Sequence, residues 1–241
     1  MIQGLTKKKL TILNEQVDIY IFRPKEIHED KTYPVVWVLD GDSIFNNLGQ
    51  MFRDPLLQEM YVIGIQPSNR DAQYTPWDVS ELHDIYENFI GQASVYLNEL
   101  LQVLPPFLKE QQIPKGPTYF TGFSLAGLFA TYSLYQTDYF AGIGSLSGSF
   151  WYPNWLTFIN EHQVFNKQAQ VYFSCGTREW METSGEKLFT KDLTQATIET
   201  LPNRSVELYI DEGGHTQYLM KRWMNVLQWV TTSVHNINID H

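Results

Sequence analysis

Short apolar runs rich in β-branched residues alternate along this chain with longer segments whose apolar residues recur at helical spacing. Val35–Leu39 (VVWVL) and Tyr61–Ile65 (YVIGI) are continuous apolar runs, typical of strands buried on both faces. Six more strands are predicted at Leu10–Leu13, Val17–Phe22, Thr118–Thr121, Gly142–Leu146, Val171–Cys175 and Val206–Ile210. This alternation predicts an α/β fold with about eight mostly parallel strands, flanked by helices on both faces.

The clearest predicted helix covers Tyr86–Leu104, where one apolar stripe recurs at helical spacing and Pro105-Pro106 should end it. Leu125–Tyr135 and Gln217–Val230 are two further predicted helices. The first two strands should form a hairpin joined at Asn14-Glu15. No linker divides the chain, so we expect one domain over residues 1–241, with no large lid domain.

Composition narrows the class of protein. Of 241 residues, 43% are hydrophobic, which suffices for one sizeable core. The net charge of −10, from 17 basic and 27 acidic residues, argues against a nucleic-acid partner. The single cysteine, Cys175, excludes an intramolecular disulfide and a Cys-rich metal site. We see no signal peptide and no membrane-spanning run, so we expect a cytoplasmic protein with no membrane partner.

The candidate nucleophile is Ser124, in Gly122-Phe123-Ser124-Leu125-Ala126-Gly127 directly after a predicted strand. The pattern matches the G-x-S-x-G nucleophile elbow, with Ala126 in place of the last glycine. Such an elbow needs small residues because the strand turns sharply into a helix. The alternative is an ordinary serine in a strand–helix turn.

A serine hydroxyl needs a base to accept its proton, and histidine is the usual base. Of the six histidines, only His215 follows directly on a predicted strand, in Asp211-Glu212-Gly213-Gly214-His215. We predict that His215 is the base, with His83 as second choice. His28, His235 and His241 are expected to be solvated, the last two in a polar tail, and His162 lies in a surface-like helix.

A carboxylate should orient the imidazole, and the order Ser, acid, His places it between residues 124 and 215. Glu179 follows the strand that ends near Gly176 and is the first candidate. Glu182, Glu186 and Asp192 remain open as competitors. A pairing of Glu179 with Arg178 or solvent is the non-catalytic interpretation.

The oxyanion hole should use two backbone N–H groups, those of Leu125 and Asp42. Asp42 follows the strand Val35–Leu39, and its side chain is expected to turn away. An alternative or additional role for Asp42 is helix N-cap.

Several segments along the chain form a recognisable set: Tyr33–Gly41, Arg70–Trp77, Asn98–Leu101, Gly122–Gly127, Ser145–Trp151, Gly176-x-x-Glu179 and Gly213–His215. Together they resemble the esterase D / enterochelin esterase-like family of α/β-hydrolases. The resemblance implies an α/β-hydrolase fold and serine carboxylic-ester hydrolysis without a cofactor or metal, through Ser124, His215 and Glu179. Some members of the family work as Ser–His dyads, which keeps a dyad open here.

The loops around Arg70 and around Trp151 look most like those of siderophore trilactone esterases, so the expected partner is a small-molecule ester. Arg70 could grip an anionic substrate or anchor its own loop to Asp71 or Asp78. Trp151 could bind an acyl or aryl group, or pack within its loop. An S-formylglutathione-type thioesterase, an acyltransferase and a non-catalytic binding module are the alternatives. Oligomeric state does not follow from the sequence.

Overall fold

The computed structural model of the chain describes residues 4–28, 31–47, 49–82, 86–183, 185–203 and 205–237. The strands are β1 (Leu5–Ile12), β2 (Glu15–Phe22), β3 (Val35–Leu39), β4 (Tyr61–Ile65), β5 (Thr118–Phe123), β6 (Gly142–Leu146), β7 (Gln170–Gly176), β8 (Trp180–Thr183), β9 (Glu186–Phe189) and β10 (Val206–Asp211). The α-helices are α1 (Gly41–Asn47), α2 (Arg70–Gln73), α3 (Ala93–Glu110), α4 (Leu125–Ser133), α5 (Trp155–Glu161), α6 (Thr190–Glu199) and α7 (Leu219–Ile237).

Eight strands form one sheet in the order β1-β2-β4-β3-β5-β6-β7-β10. In this sheet the pairs β1–β2 and β2–β4 are antiparallel, and the remaining five pairs are parallel. The prediction of about eight mostly parallel strands is therefore confirmed. Strand order reverses at β3, which has β4 on one side and β5 on the other. In such sheets ligands bind beyond the carboxyl ends of the strands at this reversal.

The sheet separates two apolar clusters, as expected of strands buried on both faces. In β3, Trp37 packs in one cluster with residues of α3, α4 and α5. Val36 and Val38 pack in the other, with residues of α1 and α7. All five residues of β3 are buried, which is why this strand reads as a continuous apolar run.

The predicted turn of the first hairpin needs correction, and a second hairpin and one helix were missed. The β1–β2 hairpin turns at Leu13-Asn14 and not at Asn14-Glu15, since Ile12 pairs with Glu15 and both turn residues have positive φ. This geometry matches the right-handed twist of the paired strands. A separate hairpin, β8–β9, and helix α6 were not predicted; the hairpin packs outside the main sheet and carries no clear apolar alternation.

The predicted helix Tyr86–Leu104 was wrong at both ends. Gly91, at φ +73°, breaks the segment, and a side chain there would collide with the backbone of Trp77. At the other end α3 continues through Pro105-Pro106 to Glu110, and Phe107 is buried in the core. A proline removes one hydrogen bond to the residue four positions earlier. Here the affected residues lie on the partly exposed side of the helix, where water can bind the freed carbonyls.

The other predicted helices lie close to their observed positions. Helix α4 ends two residues before Tyr135, and α7 extends past Val230 to Ile237. His235 therefore lies in α7 and not in a polar tail. Between Trp151 and Gln170 lies the short helix α5, which agrees with the expected absence of a large lid domain. Within the described ranges, no helix is long and apolar enough to cross a bilayer.

Candidate active site

Ser124 stands at the sharp turn between β5 and α4. Its backbone has φ 63° and ψ −122°, a strained region for a residue with a side chain. A Cβ at Gly122 would lie 2.4 Å from the carbonyl oxygen of Ala126 and 2.6 Å from its Cβ. The turn therefore requires glycine at 122, while at 126 an alanine methyl group fits against it.

Ser124, His215 and Glu179 form a continuous hydrogen-bonded line. The Ser124 Oγ lies 3.1 Å from His215 Nε2, and His215 Nδ1 lies 2.8 Å from Glu179 Oε2. The Phe123 ring packs on the imidazole, with 4.7 Å between ring centroids. The His215 side chain is 42% exposed and that of Glu179 is 1% exposed. A hydroxyl, an imidazole and a carboxylate at these distances have the geometry that a nucleophile, a base and an orienting acid require for acyl transfer.

Glu179 is held by its other carboxylate oxygen. Oε1 accepts hydrogen bonds from the Gly176 N–H and from Ser147 Oγ at 3.0 Å, and Arg222 Nη1 lies 2.8 Å away. The three competing acids are exposed, on β8, on β9 and in the first turn of α6: Glu182, Glu186 and Asp192. Glu179 therefore pairs with His215 and Arg222, and not with Arg178 or solvent.

The remaining histidines lie away from this line or outside the described residues. His28 is exposed in a loop, and His162 follows α5, where its Nδ1 lies 3.0 Å from the Phe158 carbonyl oxygen. His83 and His241 lie outside the described residues. No group of three or more His, Cys, Asp or Glu in the described ranges is arranged to hold a metal.

Ser149 is a site residue that the sequence reasoning missed. Its buried Oγ lies 3.2 Å from Ser124 Oγ, and its N–H donates to the Ser124 carbonyl at 3.1 Å. The available signal was Ser145-Leu146-Ser147-Gly148-Ser149, four small residues and one leucine at the end of β6, which pairs with β5. Small polar residues at such a strand end are candidates for contact with the adjacent elbow.

The two N–H groups predicted to form the oxyanion hole differ in whether another residue already accepts their hydrogen bond. In the described part of the chain, the Leu125 N–H has no acceptor. The Asp42 N–H donates to Gln66 Oε1 at 3.0 Å. The Asp42 carboxylate accepts a hydrogen bond from the Tyr20 hydroxyl, and so turns towards β2. Because α1 begins at Gly41, Asp42 lies inside the first turn and is not the helix N-cap.

Arg70 links three elements at the reversal of strand order. Its Nε lies 2.9 Å from Asp40 Oδ2, and its Nη2 lies 3.3 Å from the Phe123 carbonyl oxygen. The carboxylate partner is therefore Asp40 and not Asp71 or Asp78. Burial raises the pKa of Asp40 in spite of this ion pair. Arg70 braces the end of β3 against the nucleophile elbow, while its side chain remains 34% exposed.

Trp151 is half-buried and lines a cavity of about 550 Å³. Its ring packs near Tyr86 and Phe89, with centroids 6.4 Å apart in each case. The cavity is mostly apolar; its lining includes Leu82, Phe150, Tyr152, Leu156, Leu188 and Leu193. Phe150 and Trp151 follow directly on Ser149, so the lining of this cavity begins one residue along the chain from a contact of Ser124.

Comparison with known families agrees with the fold and the segments described above. The family model described as "Putative esterase" matches residues 11–230. The chain belongs to this esterase family. Its curated relative "Uncharacterized protein YbbA" from Bacillus subtilis is 29% identical over 232 residues, covering 90% of this chain and 92% of that protein.

Solved structures show the same fold. An IroE-like serine hydrolase from Shewanella oneidensis superposes with a TM-score of 0.77 at 21% identity, covering 92% of this chain and 78% of the other. The siderophore hydrolase EstA from Aspergillus nidulans gives 0.74 at 16% identity, covering 95% and 94%. The predicted family and the α/β-hydrolase fold are therefore confirmed.

Proposed function

We propose that this member of the esterase family is a serine carboxylic-ester hydrolase that works through a Ser124–His215–Glu179 triad and an acyl-enzyme. The observation that carries the proposal is the unbroken line from Ser124 Oγ through the imidazole to the buried Glu179 carboxylate, at 3.1 Å and 2.8 Å. A strained elbow at Ser124 supports the same role, because it presents the hydroxyl at the edge of the sheet.

In the acylation step, Ser124 Oγ attacks the ester carbonyl carbon while His215 Nε2 accepts the hydroxyl proton. Glu179 keeps the other imidazole proton on Nδ1 and stabilises the imidazolium that forms. His215 then donates its Nε2 proton to the departing alkoxide, which leaves as the alcohol. The acyl group remains on Ser124.

In the deacylation step, His215 Nε2 takes a proton from water as the water oxygen attacks the acyl carbon. The second tetrahedral intermediate collapses, the carboxylic acid leaves, and the proton returns to Ser124 Oγ. The Ser124 Oγ–acyl bond formed in the first half is broken in the second, and water supplies both the hydroxyl of the acid and the proton that returns to Ser124. The atoms therefore balance without a cofactor or metal.

The oxyanion is proposed to bind the N–H groups of Leu125 and Asp42. Donors aimed at the developing charge are usually the largest single source of stabilisation in acyl transfer. The Leu125 N–H supports this role directly, since it has no acceptor among the described residues. For Asp42 the substrate oxygen must replace Gln66 Oε1, a neutral acceptor that gives way to a stronger, charged one.

The substrate is proposed to be a small-molecule ester with an apolar or aromatic group that occupies the cavity beside Trp151. A cavity of this size with aromatic walls suits such a group. The structural neighbour EstA from Aspergillus nidulans is a siderophore hydrolase, so siderophore lactones are the first natural esters to test. The net charge of −10 disfavours a strongly anionic substrate and favours neutral esters.

The test is hydrolysis of a chromogenic ester series from acetate to octanoate by the wild type, Ser124→Ala and His215→Ala. Wild-type turnover with both variants nearly inactive, and a double variant no worse than either, is expected because the residues act as a unit. A fluorophosphonate probe should label the wild type at Ser124 only. Turnover that survives Ser124→Ala would refute the proposal.

Two controls separate this activity from the alternatives. Matched thioesters and oxyesters distinguish an esterase from an S-formylglutathione-type thioesterase. A competing alcohol, followed by product analysis, distinguishes hydrolysis from acyl transfer. A folded protein that neither turns over esters nor reacts with the probe would be a binding module.

A further inference from the structure

A buried arginine lies directly beneath the loops that carry the acid and the base. Arg222 is in the first turn of α7, and its side chain is 0% exposed. A buried charge without partners costs several kcal/mol, so a guanidinium in this position requires an extensive set of acceptors. The identity of those acceptors shows what the residue holds together.

Arg222 binds Asp211 through two nitrogens. Its Nε lies 2.7 Å from Asp211 Oδ2 and its Nη2 lies 2.8 Å from Oδ1. Burial by itself lowers the pKa of Arg222, but hydrogen bonds to Asp211 and the charge of Glu179 raise it above its usual value. Arg222 is therefore charged, and Asp211 at the end of β10 neutralises it.

The rest of the guanidinium points at the catalytic loops. Nη1 lies 2.8 Å from Glu179 Oε1, 2.7 Å from Ser147 Oγ and 3.1 Å from the His215 carbonyl oxygen. Nη2 also donates to the Gly214 carbonyl at 3.2 Å. One side chain thus contacts both the acid and the backbone of the base.

Two glycines let the loops close over this group. A Cβ at Gly176 would lie 2.7 Å from Arg222 Nη2, and one at Gly213 would lie 3.2 Å from the same atom. Gly176 ends the strand before Glu179, and Gly213 precedes His215 by two residues. The nearest atom to a Cβ at Gly176 is the Gly213 carbonyl oxygen, at 2.1 Å, so a larger residue there would force apart the two loops that meet at the guanidinium.

The pattern of contacts leaves one carboxylate oxygen for the base. Arg222 takes only Oε1 of Glu179, while Oε2 faces His215 Nδ1 at 2.8 Å. Because Asp211 neutralises the guanidinium, the Glu179 charge remains available to the imidazolium that forms during the reaction. A folding role alone would need the Asp211 pair but none of the contacts to residues 179, 214 and 215.

We propose that Arg222 is a positioning residue for the catalytic triad, which holds the Glu179 carboxylate and the His215 loop in the geometry that aims the imidazole at Ser124. The assignment rests on the proposed function. Lysine cannot replace it, because an ammonium is a point charge without the planar fork that reaches both carboxylates at once.

The experiment is a double-mutant cycle. Arg222→Lys is made in the wild type and in Glu179→Gln, and kcat and KM are measured on a neutral ester. We expect Arg222→Lys to lower kcat about tenfold to a hundredfold with little change in KM. In Glu179→Gln the same change should cost less than threefold, because the group it positions is already disabled. Arg178→Lys, the same change at an exposed arginine, is the matched control and should leave kcat within twofold.

The imidazole gives a second readout that a purely structural role would not move. The His215 Nδ1 proton should give a low-field proton NMR signal in the wild type, and this signal should shift or disappear in Arg222→Lys. Equal losses of kcat in the two backgrounds, or an unchanged signal with only a lower melting temperature, would overturn the assignment.

If Arg222→Lys fails to fold, Arg222→Met combined with Asp211→Asn removes the buried pair together and is used in the same cycle. The proposed function is tested separately by Ser124→Ala. Turnover that survives Ser124→Ala contradicts the proposed function. Turnover lost in Ser124→Ala, with additive effects of the Arg222 and Glu179 changes, contradicts the role of Arg222 alone.

Discussion

Replacing Glu179 by glutamine distinguishes a working triad from a Ser–His dyad. In the structure Glu179 Oε1 accepts from the Gly176 N–H, Ser147 and Arg222. These donors force the amide of Glu179→Gln to place its oxygen at the same position. Its NH₂ group then faces His215 Nδ1, which must become an acceptor, so the ring carries its proton on Nε2 and cannot take the proton of Ser124.

The loss of kcat in Glu179→Gln can be estimated from the missing charge attraction as well as from the wrong imidazole tautomer. A carboxylate and an imidazolium with charge centres about 4 Å apart attract by about 4 kcal/mol at an effective dielectric constant of about 20. Removing that attraction from the transition state corresponds to about a thousandfold in rate. The wrong tautomer adds to this, and in serine proteases the equivalent change costs about 10⁴ in kcat.

The assay is steady-state hydrolysis of a short chromogenic ester, with the melting temperature measured on the same samples. Glu179→Gln should lower kcat by about 10³ to 10⁴ and leave KM nearly unchanged. Glu182→Gln, the same substitution at an exposed residue of β8, is the control and should have no effect. If Glu179→Gln retains more than a tenth of wild-type kcat, the acid is dispensable and the protein works as a dyad.

Three further predictions follow from other contacts. Gln66→Leu should raise kcat/KM about threefold to tenfold, because it frees the Asp42 N–H from a competing hydrogen bond of about 1 kcal/mol; unchanged steady-state kinetics would exclude this N–H from the oxyanion hole. Trp151→Ala should raise KM for aryl and octanoyl esters more than for acetate, because it removes an aromatic wall of the cavity; an equal rise for every ester would place the substrate elsewhere. Burial by itself would raise the pKa of Asp211, but hydrogen bonds from Arg222 and the Gly213 N–H lower it below its ordinary value. The stability from this ion pair is therefore complete above about pH 4 and is lost as the pH falls through the lowered pKa. Urea unfolding should show a difference in the free energy of unfolding between the wild type and Asp211→Asn that shrinks below pH 4. A difference that stays constant with pH would contradict the argument.

Local patterns determined much of the fold. The continuous apolar runs of β3 and β4 and the glycine-flanked turn at Ser124 each depend on neighbours in the chain. A strand buried on both faces must be apolar throughout, and a strand that turns sharply into a helix must have small residues at the turn. Both signals are therefore readable without tertiary information.

The end points of α3 show where local signals fail. Gly91 was a readable signal for the start of the helix, and the apolar stripe from Tyr86 hid it. Pro105 and Pro106 predict a stop because they remove hydrogen bonds, but burial of Phe107 in the core outweighs that cost. Only the tertiary packing shows which of the two effects is larger.

The candidate site also combines residues that local sequence features predict with one that only burial in the folded protein identifies. The sequence by itself singled out Ser124 and His215, because a nucleophile elbow and a glycine-rich loop after a strand are local features. It ranked Glu179 first but left three acids in competition. Burial separates them: Glu179 is enclosed, and its competitors are exposed.

Tertiary structure alone decided the contacts between side chains distant in sequence. Ser149 contacts Ser124, 25 residues away, Gln66 accepts the Asp42 N–H, and Arg222 contacts β7, β10 and the His215 loop. Parallel strands bring their carboxyl ends to one edge of the sheet whatever the loops contain, so a sequence can predict which loops meet. Which atoms meet there depends on loop conformation and side-chain packing, and these follow from the folded chain as a whole.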